Sequence, residues 1–190
     1  MYKFTSFLGV VGVLTLGLSS QVVFSKDSSG FEFDVTPVFG YEFVEQETPF
    51  PSHGQRLFYG GRVSAGWRFI QAELEYTRAQ DSTQRLGVTY TDKEDRLKMG
   101  VLAKYSYERT IEGLARFGVQ ASQLRRSRSD ISTTTVNELE WDPYAGVGFR
   151  VFVQRNIYLE MGATGVFLDF PNDMTRINWQ TYISASLRLP

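Results

Sequence analysis

The residue that most invites a chemical reading is His53, the single histidine of the chain. A serine beside an imidazole becomes a nucleophile when an acid orients the ring, and Ser52 is the adjacent candidate. The setting, Pro51-Ser52-His53-Gly54, is a run of turn formers and reads as an exposed loop. With one His and no Cys there is no two-histidine or thiolate metal site, no thiol enzyme and no disulfide scaffold. Asp92-Lys93-Glu94-Asp95 is acidic but lacks the Gly-containing ligand spacing of a calcium loop. No glycine-rich phosphate loop occurs, and a net charge of −1 is no nucleic-acid footprint. The residues therefore imply no catalytic set, no metal site and no cofactor. A cluster of guanidiniums remains in Arg125, Arg126 and Arg128, which could hold phosphates or an acidic polymer. Asp130 follows, and a solvated loop is the alternative.

The elements that must carry these residues show period-2 alternation. Phe31, Phe33, Val35, Phe39, Tyr41 and Phe43 share one face, with Glu32, Asp34, Thr36, Gly40 and Glu42 on the other. The pattern recurs over 59–67, 70–77, 96–105, 111–122, 143–151, 158–167 and 180–189, which predicts eight strands of about 9–13 residues. Connections alternate in length. Residues 68–69, 106–110 and 153–156 are short; 45–56, 80–95, 123–137 and 169–177 are longer. Pro37 falls inside a strand pattern and suggests a bulge; Pro143 suggests the loop end of its strand.

The polarity of the two faces discriminates between architectures. The apolar face is aromatic at both ends. Phe31, Phe33, Trp67 and Tyr105 lie near the short turns; Tyr41, Phe43, Tyr59, Tyr76, Trp141, Phe167 and Trp179 lie near the long loops. No Lys or Arg occupies that face in the eight segments. Two aromatic belts flanking small and aliphatic residues are the pattern of a lipid-facing surface. A mean hydropathy of −0.23 argues only against helical spans, because a barrel faces lipid with half its strand residues. Residues 1–25 read as a cleaved signal peptide: Lys3, a twelve-residue apolar run from Phe7 to Leu18, then Val23 and Ser25 before a cleavage site. The run is too short to span a bilayer. Loss of Lys3 leaves the mature chain, from Lys26, at −2. The expected architecture is all-β: an eight-stranded antiparallel up-and-down transmembrane β-barrel over residues 26–190, both termini on the periplasmic side.

Trp141-Asp142-Pro143-Tyr144-Ala145-Gly146-Val147-Gly148-Phe149 resembles the Pro-Tyr-Ala-Gly-x-Gly strand of the opacity-porin and OmpA-like outer-membrane barrels. The resemblance in pattern runs over about residues 31–190. It implies a bacterial outer-membrane protein without enzymatic activity, with roles in envelope integrity, adhesion or host contact. It also implies the barrel-assembly machinery and outer-membrane lipids, including lipopolysaccharide, as partners. The family's chain usually ends on an aromatic; this one ends Leu187-Arg188-Leu189-Pro190, keeping the apolar alternation without the final Phe. Some small barrels are lipid A-modifying enzymes, but the His-x-Ser pattern of the deacylases is absent because position 55 is Gln.

Inside such a barrel the polar face becomes a lumen. Glu32, Asp34, Glu42, Glu73, Glu75, Glu112 and Glu160 meet Arg62, Lys98, Lys104, Arg116, Arg150 and Arg188 there, seven acids against six bases. Pairing about the short turns sets Arg62 across from Glu75, Lys104 from Glu112 and Arg150 from Glu160; closure brings Asp34 near Arg188. A buried charge without a partner is very costly, so a lumen narrow enough to be filled by side chains needs this balance. The expectation is a polar plug, and a surface-contact role through the loops toward an envelope or host ligand. The alternatives are a narrow porin-like path for ions or small solutes and, further off, a lipid A-modifying enzyme.

Overall fold

Alternation of outward and inward side chains is realised as nine β-strands in a computed structural model that describes residues 30–46, 52–85, 87–108, 110–130, 134–168 and 176–189. The expected signal peptide, residues 1–25, lies outside the described residues. The strands are β1 (Phe31–Gln46), β2 (Ser52–Trp67), β3 (Ile70–Arg85), β4 (Val88–Glu108), β5 (Ile111–Arg128), β6 (Thr134–Val136), β7 (Glu140–Gln154), β8 (Ile157–Phe167) and β9 (Ile177–Leu189). Every pairing is antiparallel. The order β4-β3-β2-β1-β9-β8-β7-β5 closes on itself through β4–β5, which gives an eight-stranded barrel, and the short β6 pairs only with the far end of β5. No described helix is long and apolar enough to cross a membrane; the strands make the wall.

Two segments read as loops are strand. Residues 80–85 pair with 88–93, and 90–95 pair with 123–128, so β3, β4 and β5 continue as a sheet beyond the barrel. Both faces of this extension carry polar residues, so hydropathy does not alternate there. Ser82, Thr83, Thr89 and Thr91 still favour the extended backbone, and each strand inherits its partner's register from the barrel below. The backbone of Ser52 and His53 likewise belongs to β2, opposite Gln46 and Glu45, rather than to a loop.

Pro37 makes no bulge. Its register with β2 is unshifted (Pro37 opposite Gly61), and the flanking pairs to β9, Val35–Leu187 and Phe39–Ile183, keep one register. The β9 ladder lapses over 36–38 instead, which accommodates the missing amide without an extra residue. The register shifts that do occur lie beside short turns, at Ser106/Glu108 and Phe152/Gln154.

The polarity is inverted relative to a water-soluble barrel. Arg62, Arg96, Arg116, Arg150, Glu42 and Glu75 are fully buried, while Trp67, Tyr105, Val147 and Ile183 are exposed. From Phe31 to Tyr41 the outward apolar band of β1 spans about 25 Å along the barrel axis, at ~3.3 Å per residue and a tilt of ~40°, close to the apolar height of an outer-membrane barrel. Inward glycines make room for aromatic rings: a Cβ on Gly100 would collide with the Tyr144 hydroxyl, so the motif tyrosine reaches across β5 only because Gly100 is bare.

Candidate functional site

The lumen charges sort into three tiers along the barrel axis, each containing as many acids as bases. At the short-turn end, Arg188 donates from Nε to Asp34 Oδ1 (3.1 Å) and from Nη2 to Glu112 Oε2 (3.1 Å), and its Nη1 lies 3.4 Å from Glu32. Arg150 donates from Nη1 to the other Asp34 oxygen at 3.0 Å and lies with its guanidinium 4.4 Å from the centre of the Tyr158 ring. Lys104 pairs with Glu32. In the middle tier Lys98 and Arg116 both donate to Glu75, at 3.0 and 2.7 Å. Arg116 Nε also lies 3.0 Å from both oxygens of Glu73, and Arg62 pairs with Glu160 and, at 3.6 Å, with Glu75. The loop-end tier is a ring of alternating charge. Arg56 joins Glu42 and Glu94, both at 2.6 Å, and Arg96 joins the same two, with its hydrogen bonds to each at 2.7 Å.

Glu160 joins the lower two tiers, taking Arg62 from one side and Arg150 Nε, at 2.7 Å, from the other. Between the middle and loop-end tiers Val38, Phe58, Ala79 and Tyr182 form a buried apolar cluster. Desolvating an ion costs several kcal/mol, which only a close opposite charge with satisfied hydrogen bonds repays. Tier-by-tier neutrality supplies the opposite charges locally, without relying on charges at the other end of the barrel, while one or more guanidinium nitrogens of Arg62, Arg116 and Arg150 keep no hydrogen-bond partner among the described residues.

The residues expected in the lumen network are placed as follows. Glu32, Asp34, Arg62, Glu75, Arg116, Arg150, Glu160 and Arg188 face inward among the contacts just described. Lys104 and Glu112 also face inward but do not oppose one another. β4 runs on to Glu108, so the turn is shorter than residues 106–110 suggested, and the register sets Lys104 opposite Leu114 and Ser106 opposite Glu112. Lys104 turns to Glu32 and Asp34, and Glu112 to Arg188. Arg56, Arg96 and Glu94 complete the count to eight acids and eight bases in the three tiers. Arg56 and Glu94 escaped the sequence reading because they lie in stretches read as loops, whereas Arg96, at the start of segment 96–105, shares the polar face that the alternation predicts. Tyr144 is a motif residue that parity places on the inward face. It donates to Glu73 Oε1 at 2.6 Å across the lumen, a partner no local pattern could indicate.

The arginine cluster divides. Arg126 points inward in a two-pronged pair with Asp92 (2.8 and 2.7 Å), and Arg128 folds onto Asp130 (3.1 and 2.7 Å). Arg125 alone lies on the outer face, half exposed, with Asp95 at 3.9 Å. The statement that no cation occupies the outer face holds for the eight segments as cut but fails for the longer strands, where Arg78, Lys93 and Arg125 all take outward positions. A shallow apolar groove of about 690 Å³ runs across four strands of the outer wall past Phe39, Tyr41, Val147, Phe149, Met161 and Ile183. Among the described residues no His, Cys, Asp or Glu group is arranged to hold a metal ion.

No protein-family model matches the sequence, and no curated protein matches it. Solved structures do match. Neisserial surface protein A is similar with a TM-score of 0.60 and 9% identity, over 85% of this chain and 97% of that one. Ail, the attachment invasion locus protein of Yersinia pestis, solved with the heparin analogue sucrose octasulfate, gives 0.57 and 8%, over 84% and 97%. The outer membrane protein OprG from Pseudomonas aeruginosa gives 0.55 and 8%, over 85% and 97%. At such identities the likeness establishes the fold: this chain has the fold of the small outer-membrane β-barrels.

Proposed function

We propose that the protein is a non-enzymatic barrel of the bacterial outer membrane. Its lumen is a closed polar plug, and its work is surface contact through the sheet and loops at the long-loop end. The observation that carries this reading is the combination of three self-neutral charge tiers inside with two aromatic belts outside. The first leaves little continuous water and the second suits lipid. Export through residues 1–25, insertion by the barrel-assembly machinery, and contact with lipopolysaccharide and with an envelope or host ligand belong to the same proposal. A second reading, a narrow path for ions, has one observation in its favour. Lys98, Gln180 and Gln120 form a polar chain (2.6 and 3.4 Å) in the same lumen as the apolar cluster around Phe58.

The test uses the full chain in cells. The protein is expected to fractionate with outer membranes at the intact mass of a chain starting near Lys26. Exchange of residues 82–91 for a short turn is expected to keep that location while reducing surface binding to the level of a deletion strain. A soluble periplasmic protein, or binding untouched by the exchange, overturns the reading.

A further inference from the structure

The outer face of β3, β4 and β5 is banded above the barrel. Tyr76, Leu97, Ala121 and Trp141 are register partners across four strands and continue the aromatic belt. The next outward row is Arg78, Asp95 and Gln123; the one beyond is Gln80, Lys93, Arg125 and Val136. Beyond these lies a row of hydroxyls, Ser82, Thr91, Ser127 and Thr134, in which Ser82 and Thr91 are 3.3 Å apart. Apolar wall, cationic band and hydroxyl band thus follow one another outward on a single surface.

The cationic band is unbalanced. Lys93 and Arg125 sit directly opposite on the same face, an arrangement that destabilises a strand pair. The one acid in the band, Asp95, is already engaged by Arg78 Nε and the Tyr76 hydroxyl, both at 2.6 Å, and is 3.9 Å from Arg125. Among the described residues no ion pair involves Lys93, which is exposed. Three cations and one carboxylate leave about two positive charges two to four residues above the belt. At ~2.5 Å of axial rise per residue this is about 5–10 Å beyond the apolar band, the depth of lipid headgroups.

We infer that this face binds a phosphorylated glycolipid of the outer leaflet. The phosphates lie against Lys93, Arg125 and Arg78, the sugar hydroxyls against the Ser82–Thr91–Ser127 row, and the acyl chains on the wall below Tyr76 and Trp141. The inference rests on the outer-membrane reading above and deepens it by giving the lipid contact its residues and the headgroup chemistry they select. Charge complementarity selects phosphate, and the hydroxyl band above the cations selects a sugar headgroup over a simple anionic phospholipid.

Native mass spectrometry of the full mature protein released from detergent micelles tests this, with bisphosphorylated lipid A, dephosphorylated lipid A and phosphatidylglycerol as probes. The wild type is expected to retain bisphosphorylated lipid A about tenfold better than either other lipid, and the Lys93→Gln/Arg125→Gln double variant to lose about that factor. Arg128→Gln, whose guanidinium is folded onto Asp130, is expected to bind as the wild type does. Added lipid A is expected to raise the wild-type Tm but not that of the double variant, whose unliganded Tm should equal or exceed the wild type's because the opposed charges are gone. Equal retention of all three lipids, a phosphate preference that survives the double substitution, equal binding of phosphatidylglycerol, or loss in Arg128→Gln each overturns the inference. Insertion into lipid vesicles is scored separately. A protein that inserts without preferring lipid A fails this inference alone, and one that does not insert fails the outer-membrane reading.

Discussion

Glu160→Gln is expected to lower the stability of the folded barrel by about 3–5 kcal/mol, the scale for breaking a buried ion pair, less whatever water enters the lumen. The carboxylate stands between two guanidiniums, Arg62 and Arg150, and none of the three side chains reaches solvent. Neutralising it strips a counter-charge from both arginines. Arg150→Met removes the charge on one side and also frees one oxygen of Asp34, so its loss is expected to be of the same order. In Arg150→Met/Glu160→Gln the two faults offset each other: Arg62 keeps Glu75, and Asp34 keeps Arg188. The double variant is therefore expected to cost at least ~1 kcal/mol less than the sum of the singles, read as a double-mutant cycle by urea unfolding in lipid vesicles. Additive losses would place the two side chains in separate environments and break the tier description.

Val147→Arg is expected to cost about 2–4 kcal/mol when the protein is folded into phosphatidylcholine vesicles. Val147 is two-thirds exposed on β7, midway between Trp141 at the loop end and Val153 at the short-turn end, so an arginine there would sit near the bilayer midplane. Gln80→Arg, outward in the row of Lys93 and above the belt, is expected to cost no more than about 1 kcal/mol. The contrast is the informative part. A barrel with its outer face in water would accept both arginines, and equal, small costs in the two variants would remove the membrane from the description.

The barrel was legible wherever the wall is apolar outside and polar inside, because that difference is written into every second residue. β1 and β7 announce themselves this way. Above the belt the outer face is polar too. The alternation disappears over residues 80–95 and 123–128 although the hydrogen-bonded ladder continues, and those segments read as loops. Glu94 was missed for that reason and Arg56 because residues 45–56 also read as a loop, and with them the loop-end tier. Pairings about a two-residue turn could be counted out by hand, as for Arg62 with Glu75. Lys104 could not be placed this way, since where β4 stops and the chain turns depends on backbone geometry between Ser106 and Ile111. The contact of Tyr144 with Glu73 spans 71 positions and depends on closure and on a bare Gly100, neither visible in a local window.

The central claim is that matched charges seal the lumen, and planar-bilayer recording of the purified wild-type protein tests it most directly. No steady conductance is expected, because the three neutral tiers and the Phe58 cluster leave little continuous water along the axis. Steady channels comparable to those of a large porin would contradict it.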